Sequence, residues 1–188
     1  MTRLRSTEIA ATLSAAMAER RLVRLTTRFD RWGVCGYVVG MGPGFVMVAI
    51  VSDRIWFDGF ECFRRPDIVA VEDDPYAEFH ETALARRGET LPDAPPVSLA
   101  SIEELLTTAA RAFPLVTIHI EEIDPDVCYI GRVCEIAGGE LVMRDVTPAA
   151  KWATELDRYA TVDITRVAFG GGYEDALALV ANEPPSLL

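Results

Sequence analysis

The stretch GYVVGMGPGFVMVAIV, residues 36–51, decides the fold because it is apolar, rich in valine and interrupted only by turn residues. It lies within residues 33–52, which contain no charged side chain and are long enough to suggest a membrane span. Gly42-Pro43-Gly44 at its centre is typical of a tight turn, and the valines and aromatic residues on either side favour strands. The stretch therefore predicts two β-strands joined by a turn, and no membrane span.

The same pattern recurs later in the chain. Residues 36–51 align without gaps with GRVCEIAGGELVMRDV, residues 131–146, so that Gly36 matches Gly131 and Gly44 matches Gly139. Two further matches follow in the same order: DIVAVE (67–72) with DITRVA (163–168), and LVRLTT (22–27) with LVTIHI (115–120). Because order and spacing agree, we interpret the chain as two diverged copies of one unit.

Each copy predicts an opening helix, five short strands and a closing helix. Ser6 and Ser101 are candidate N-caps of the two opening helices. The predicted strands are at about 22–28, 34–41, 45–51, 55–63 and 68–72, and at about 115–121, 127–137, 140–146, 152–160 and 163–169; the closing helices are at about 75–87 and 173–182. Residues 88–96 (GETLPDAPP) have the composition of a linker, so we predict one unit over residues 1–90 and a second over residues 97–188.

A helix followed by five short antiparallel strands is the plan of a small, strongly bent barrel. The glycine in the second strand of each copy, WFDGFECF (56–63) with the Asp-Ile pair after it, and ITRVAFGGGYEDAL (164–177) resemble a group of uncharacterised bacterial proteins with tandem Sm-like, or SH3-like, β-barrels. The resemblance implies a mainly β fold of two five-stranded barrels, each with a helix before and after it. It also implies contacts with RNA or with protein. The Asp-x-x-x-Asn loop with which Sm proteins hold RNA bases is absent from this sequence.

Charge is unevenly divided between the two copies. The net charge is −11, of which −2 falls in residues 1–95 and −9 in residues 96–188. The acidic second half would repel a phosphate backbone, whereas the first half has a local excess of arginine. If the protein binds RNA, we expect the contacts at Arg24, Arg28, Arg31, Arg64 and Arg65. The alternative is a solvated strand face that carries no ligand.

The third strand differs between the copies. The second copy has the polar residues Glu140 and Arg144 at positions where the first has Phe45 and Ala49. A strand that is apolar on both faces must be covered on both. We therefore predict an interface at Phe45, Met47 and Ala49, covered by the second copy, by a helix or by another chain.

No residue pattern in the sequence indicates catalysis or metal binding. The cysteines Cys35, Cys62, Cys128 and Cys134 lack metal-site spacing, and we interpret them as reduced core thiols of a cytoplasmic protein. No basic residue adjoins Cys35, and Glu72-Asp73-Asp74 is interpreted as a solvated loop. His80 and His119 are interpreted as surface or structural residues, so we predict no catalytic residue, no metal and no cofactor.

Three functional hypotheses remain open at this point. The first is a non-enzymatic, cytoplasmic protein-interaction or assembly module that binds a protein partner or copies of itself. The alternative is an RNA-binding protein that uses the arginine-rich first unit. The second alternative is an enzyme with an unrecognised site, and no small-molecule ligand is identified.

Overall fold

The computed structural model describes residues 6–30 and 32–183. The first half consists of α1 (Ser6–Glu19), β1 (Leu22–Thr27), β2 (Val34–Met41), β3 (Phe45–Val51), β4 (Phe57–Arg64), β5 (Ile68–Asp73) and α2 (Ala77–Arg87). The second half consists of α3 (Ile102–Ala112), β6 (Val116–His119), β7 (Cys128–Ala137), β8 (Glu140–Asp145), β9 (Asp157–Ala160), β10 (Arg166–Phe169) and α4 (Gly172–Ala181). The predicted order of helices and strands is confirmed, and β9 and β10 are shorter than predicted.

The prediction of two separate five-stranded barrels is wrong. The strands form a single open antiparallel sheet in the order β5-β1-β2-β3-β4-β10-β6-β7-β8-β9. The physical reason lies where the halves meet, since Phe60 and Cys62 of β4 pair with Phe169 and Val167 of β10. These four side chains are buried, and two separate units would expose them at their edges. Pairing the two apolar edges removes that exposure, and the protein remains mainly β with flanking helices.

The five strands of each half follow one another in the same spatial order, with the fifth strand next to the first. Aligned glycines also make the same close contact. A Cβ atom at Gly36 would lie 2.4 Å from the carbonyl oxygen of Ala49, and one at Gly131 would lie 2.4 Å from the carbonyl oxygen of Arg144. Only glycine allows the backbones of neighbouring strands to approach this closely.

β3 lies at the centre of the hydrophobic core and is buried on both faces, as its sequence predicts. Phe45, Met47 and Ala49 belong to a core cluster that also contains Leu105 and Leu106 of α3. The alternate residues Val46 and Val48 belong to a second cluster, which also contains Ile9 and Leu13 of α1. The core shared by the two halves therefore covers one face of β3, and α1 covers the other.

The uncharged segment of residues 33–52 forms the predicted hairpin, in which β2 pairs with β3. In the part of the chain that the structure describes, no helix has the length and apolar character needed to cross a bilayer. Residues 88–101 contain neither helix nor strand, and Leu91 in this segment packs against the core. Whether residues 1–90 and 97–188 fold as separate domains stays a prediction.

Candidate functional site

Two of the arginines predicted to contact RNA are held in an ion-pair network. Arg28 Nε and Arg64 Nε donate to the two carboxylate oxygens of Asp67, at 2.7 and 2.5 Å. Both guanidinium groups also donate to Oε1 of Glu122 in the second half. Two positive charges thus face two carboxylates, one of them on the buried Asp67. Arg31 lies outside the described residues.

The other two described arginines of this set lie apart from that network. Arg65 Nη1 donates to the carbonyl oxygen of Gly42 at 3.0 Å. Arg24 donates to the carbonyl oxygen of Trp32 at 3.2 Å and to Oδ2 of Asp74 at 3.0 Å. RNA binding depends on cations that are available to phosphates, and each of these four guanidinium groups already has protein acceptors.

Phe45, Met47 and Ala49 lie inside the chain, in the core that joins the halves. Arg144, the polar residue aligned with Ala49, is also buried and donates to the carbonyl oxygens of Ala153 and Thr154. A surface that meets a partner must therefore consist of other residues.

Three exposed aromatic side chains come from two segments of the first half, Trp32 from the β1–β2 loop and Tyr76 and Phe79 from the start of α2. The exposed fractions are 84 % for Trp32, 64 % for Tyr76 and 61 % for Phe79. Arg24 connects their backbone segments, because it binds the carbonyl of Trp32 and also the carboxylate of Asp74, which accepts from the N–H of Tyr76 at 2.7 Å. We call these three side chains the aromatic patch.

Next to the aromatic patch, side chains from three segments converge. Cys35 lies on β2, Asp74 follows β5 and His80 lies in α2. Sγ of Cys35 is 3.8 Å from Nδ1 of His80, and Oδ1 of Asp74 is 3.3 Å from the same nitrogen. The sheet brings Cys35 and Asp74 together because β1 lies between β2 and β5. Arg24 of β1 lies opposite Cys35 of β2, and Val23 of β1 lies opposite Asp73, the residue before Asp74.

The backbone near the start of α2 fixes the carboxylate of this cluster. Asp74 accepts from the N–H of Tyr76 through Oδ1 and from the N–H of Ala77 through its carbonyl oxygen, which forms a turn directly ahead of α2, whose N-cap is Tyr76. The ring of His80 contacts the rings of Tyr76 and Phe79, with centroid distances of 6.3 and 5.6 Å. The prediction of a solvated loop is wrong as to structure, because Glu72 and Asp73 are exposed but end strand β5, and Asp74 is buried.

The electrostatics of the cluster do not favour a nucleophilic thiol. Burial, followed by the nearby Asp74 carboxylate, raises the pKa of Cys35 to about 12. Burial acts to raise the pKa of Asp74, but hydrogen bonds from the Tyr76 N–H and from Cys35, with His80 and Arg24 nearby, hold that pKa below its ordinary value. Because the thiol and the carboxylate meet the same imidazole nitrogen, the ring is not placed to relay a proton between them.

A second charged cluster lies where the halves join. Arg166 on β10 donates to Glu61 at 3.0 Å, to Glu121 at 2.9 Å and lies 3.2 Å from Nδ1 of His119. Burial raises the pKa of Glu61, against the opposing effect of Arg166. Burial and the charge of Arg166 lower the pKa of His119 to about 3. A neutral His119 with Nδ1 accepting from Arg166 fits this arrangement, in which one guanidinium group links β4, β10 and the chain around the end of β6.

The cysteines are free but differ in location. Cys62 is buried and Cys35 is half-buried, whereas Cys128 and Cys134 are exposed. The prediction that all four are core thiols is therefore wrong for the last two, which lie on β7, a strand with many exposed positions.

Comparisons of the chain with protein-family models, curated proteins and solved structures found no match. The barrel architecture is wrong, but a relationship to tandem Sm-like proteins is untested and stays a prediction based on the sequence.

Proposed function

We propose that this protein is a non-enzymatic interaction module that binds a protein partner through the aromatic patch. The observation that carries the proposal is the exposure of Trp32, Tyr76 and Phe79 on two segments that Arg24 and Asp74 link by hydrogen bonds. Aromatic side chains supply much of the binding energy at protein interfaces. The hydrogen bonds of Arg24 and Asp74 hold the backbone beneath the patch, so binding requires little further ordering.

Charge indicates the chemistry of the partner. Glu72, Asp73 and Glu78, which flank the patch along the chain, are exposed, and the whole protein carries a net charge of −11. Complementary charge increases the rate and specificity of association. The expected partner therefore presents an apolar pocket surrounded by lysine or arginine.

The edges of the sheet are poor sites for adding another strand. β9 has only four residues, of which Asp157 and Arg158 are exposed, and β5 ends in the exposed Glu72 and Asp73. Short, charged edge strands disfavour pairing with a further chain. The partner is therefore expected to be a different protein that binds the aromatic patch, and not a second copy of this chain that pairs with a sheet edge.

We further infer that the halves are two copies of one unit, joined as an internal pseudo-dimer. The common strand order and the equivalent contacts of Gly36 and Gly131 support this inference. The free cysteines fit a reducing, cytoplasmic environment. The structure supports RNA binding less than the sequence does, because the described arginines of the predicted set already donate hydrogen bonds to protein acceptors.

The test is affinity purification from the native cytosol with three versions of the protein. The wild type is compared with a Trp32→Ser/Phe79→Ser variant and with a Leu179→Ser/Val180→Ser variant, whose changes remove exposed apolar side chains from α4. We expect a protein that the wild type and the α4 variant retain and the patch variant loses. Equal recovery by all three versions, or recovery of RNA that salt removes, would contradict the proposal.

A further inference from the structure

We propose that Cys35, Asp74 and His80 form a binding site for one divalent transition-metal ion of the zinc type, with one coordination position left open. Their three ligand atoms lie within 4.8 Å of one another. Thiolate, imidazole and carboxylate are the groups by which proteins hold zinc. No sequence motif points to this set, because its members come from three separate segments of the chain.

The distances between the ligand atoms fit a tetrahedral ion. Zinc bonds of about 2.3 Å to sulfur, 2.05 Å to nitrogen and 2.1 Å to oxygen place sulfur and nitrogen about 3.6 Å apart, and nitrogen and oxygen about 3.4 Å apart. The corresponding separations are 3.8 Å between Cys35 Sγ and His80 Nδ1, and 3.3 Å between His80 Nδ1 and Asp74 Oδ1. Both separations lie within about 0.2 Å of the values for zinc, and the three ligand atoms all lie within 4.8 Å of one another.

The surroundings orient the ligands as outer-shell groups do in metal sites. Arg24 and the N–H of Tyr76 hold the two oxygens of the Asp74 carboxylate, and the Oδ1 atom keeps a lone pair on the side of His80. Asp74 is buried, while Cys35 and His80 are partly exposed, so an ion can enter from the solvent side. Water would occupy the fourth position.

The charges of the three ligands also suit a divalent cation. When the ion binds, the thiol proton leaves to solvent and Cys35 becomes a thiolate. The thiolate and the carboxylate together balance the charge of a divalent cation, and the neutral imidazole completes the set. A turn residue paired with Arg24 accounts for the position of Asp74, but that role does not require a thiol and an imidazole to face the same carboxylate.

The experiment uses the full chain, stripped of metal, and Co²⁺ alone as a spectroscopic probe, followed by displacement with Zn²⁺. A tetrahedral site with one thiolate gives a sulfur-to-cobalt charge-transfer band and intense visible bands, and Zn²⁺ abolishes both. We expect these bands at one equivalent of Co²⁺. Cys35→Ser should abolish the charge-transfer band, and His80→Gln should lower the affinity for Zn²⁺ by at least about 100-fold, the upper end of the loss caused by removing an outer-shell partner.

Two further variants make the result specific. Cys128→Ser/Cys134→Ser removes the two exposed thiols and should leave the spectrum unchanged. Asp74→Asn keeps an acceptor for the N–H of Tyr76 and should weaken Zn²⁺ binding while far-UV circular dichroism shows that the fold is intact. Absence of the bands in the wild type, or bands that survive in Cys35→Ser, would overturn the assignment.

Discussion

Glu61 on β4 and Arg166 on β10 form an ion pair across the joint between the halves, with 3.0 Å between Oε2 and Nη1. Both side chains are largely buried, and the same guanidinium group also binds Glu121. The joint therefore combines an apolar contact, in which Cys62 lies opposite Val167, with the charged contact between Glu61 and Arg166.

Replacing Arg166 by Gln should destabilise the protein strongly. It leaves the carboxylates of Glu61 and Glu121 without their cation, and removing one partner of a buried pair costs about 3–5 kcal/mol. Urea unfolding followed by circular dichroism measures the loss. The matched control is Arg158→Gln, which breaks the exposed pair with Glu140 and should cost less than about 1 kcal/mol. Equal, small losses in both variants would show that the buried pair does not stabilise the joint.

His119 should make stability depend on pH in mildly acidic solution. Its pKa is about 3 in the folded protein because of burial and Arg166, and near 6.5 in the unfolded chain. The unfolded state therefore takes up a proton first, and folding stability falls as the pH drops from about 6.5 towards 3. In His119→Asn, whose amide oxygen replaces the Nδ1 acceptor, the free energy of unfolding should fall less steeply over this range. Parallel curves for the two proteins would contradict the prediction.

Phe45→Ala tests the core that joins the halves. The Phe45 side chain is 4 % exposed, so its removal should lower the free energy of unfolding by about 3–5 kcal/mol. Leu179→Ala, at a position 82 % exposed, should change it by no more than about 0.5 kcal/mol.

Residues 1–90 expressed alone should self-associate, because the apolar face of β3 and the edge of β4 lose their cover. A well-dispersed monomeric fragment and a silent Phe45→Ala would together refute the shared core.

Thiol reactivity should divide the cysteines into two pairs. In the native protein, Cys128 and Cys134 should react with a disulfide reagent well before Cys35 and Cys62, since burial shields the latter pair and raises the pKa of both thiols. Unfolding without a reductant should expose four thiols. A total of two would mean that a disulfide forms and would count against a reducing environment.

The elements of this fold were predictable because their signals are local. Gly42-Pro43-Gly44 marks a turn, and Ser101 accepts from the N–H of Glu104 at the start of α3, as its sequence position predicts. The arrangement of the strands was not predictable in the same way. A repeat describes what each half contains, but the pairing of β4 with β10 depends on which apolar edges meet, and no local pattern specifies that.

The Cys35 cluster was missed for a related reason. Its three residues are brought together only because β1 pairs with β2 on one side and with β5 on the other. The acidic run ending at Asp74 gave no sign that its last member is buried beside His80 while the first two are exposed. A prediction of the neighbours of β1 would have placed Cys35 near the end of β5.

The joint between β4 and β10 also has a consequence for synthesis on the ribosome. Glu61 and Arg166 are 105 positions apart in the chain. At about 5–20 residues per second, translation delivers the partner strand about 5–20 s after β4 has emerged. During that interval the nascent first half presents Phe60 and Cys62 on a strand whose outer edge is unpaired, which is the period when ribosome-associated chaperones would meet it and when truncated products would aggregate.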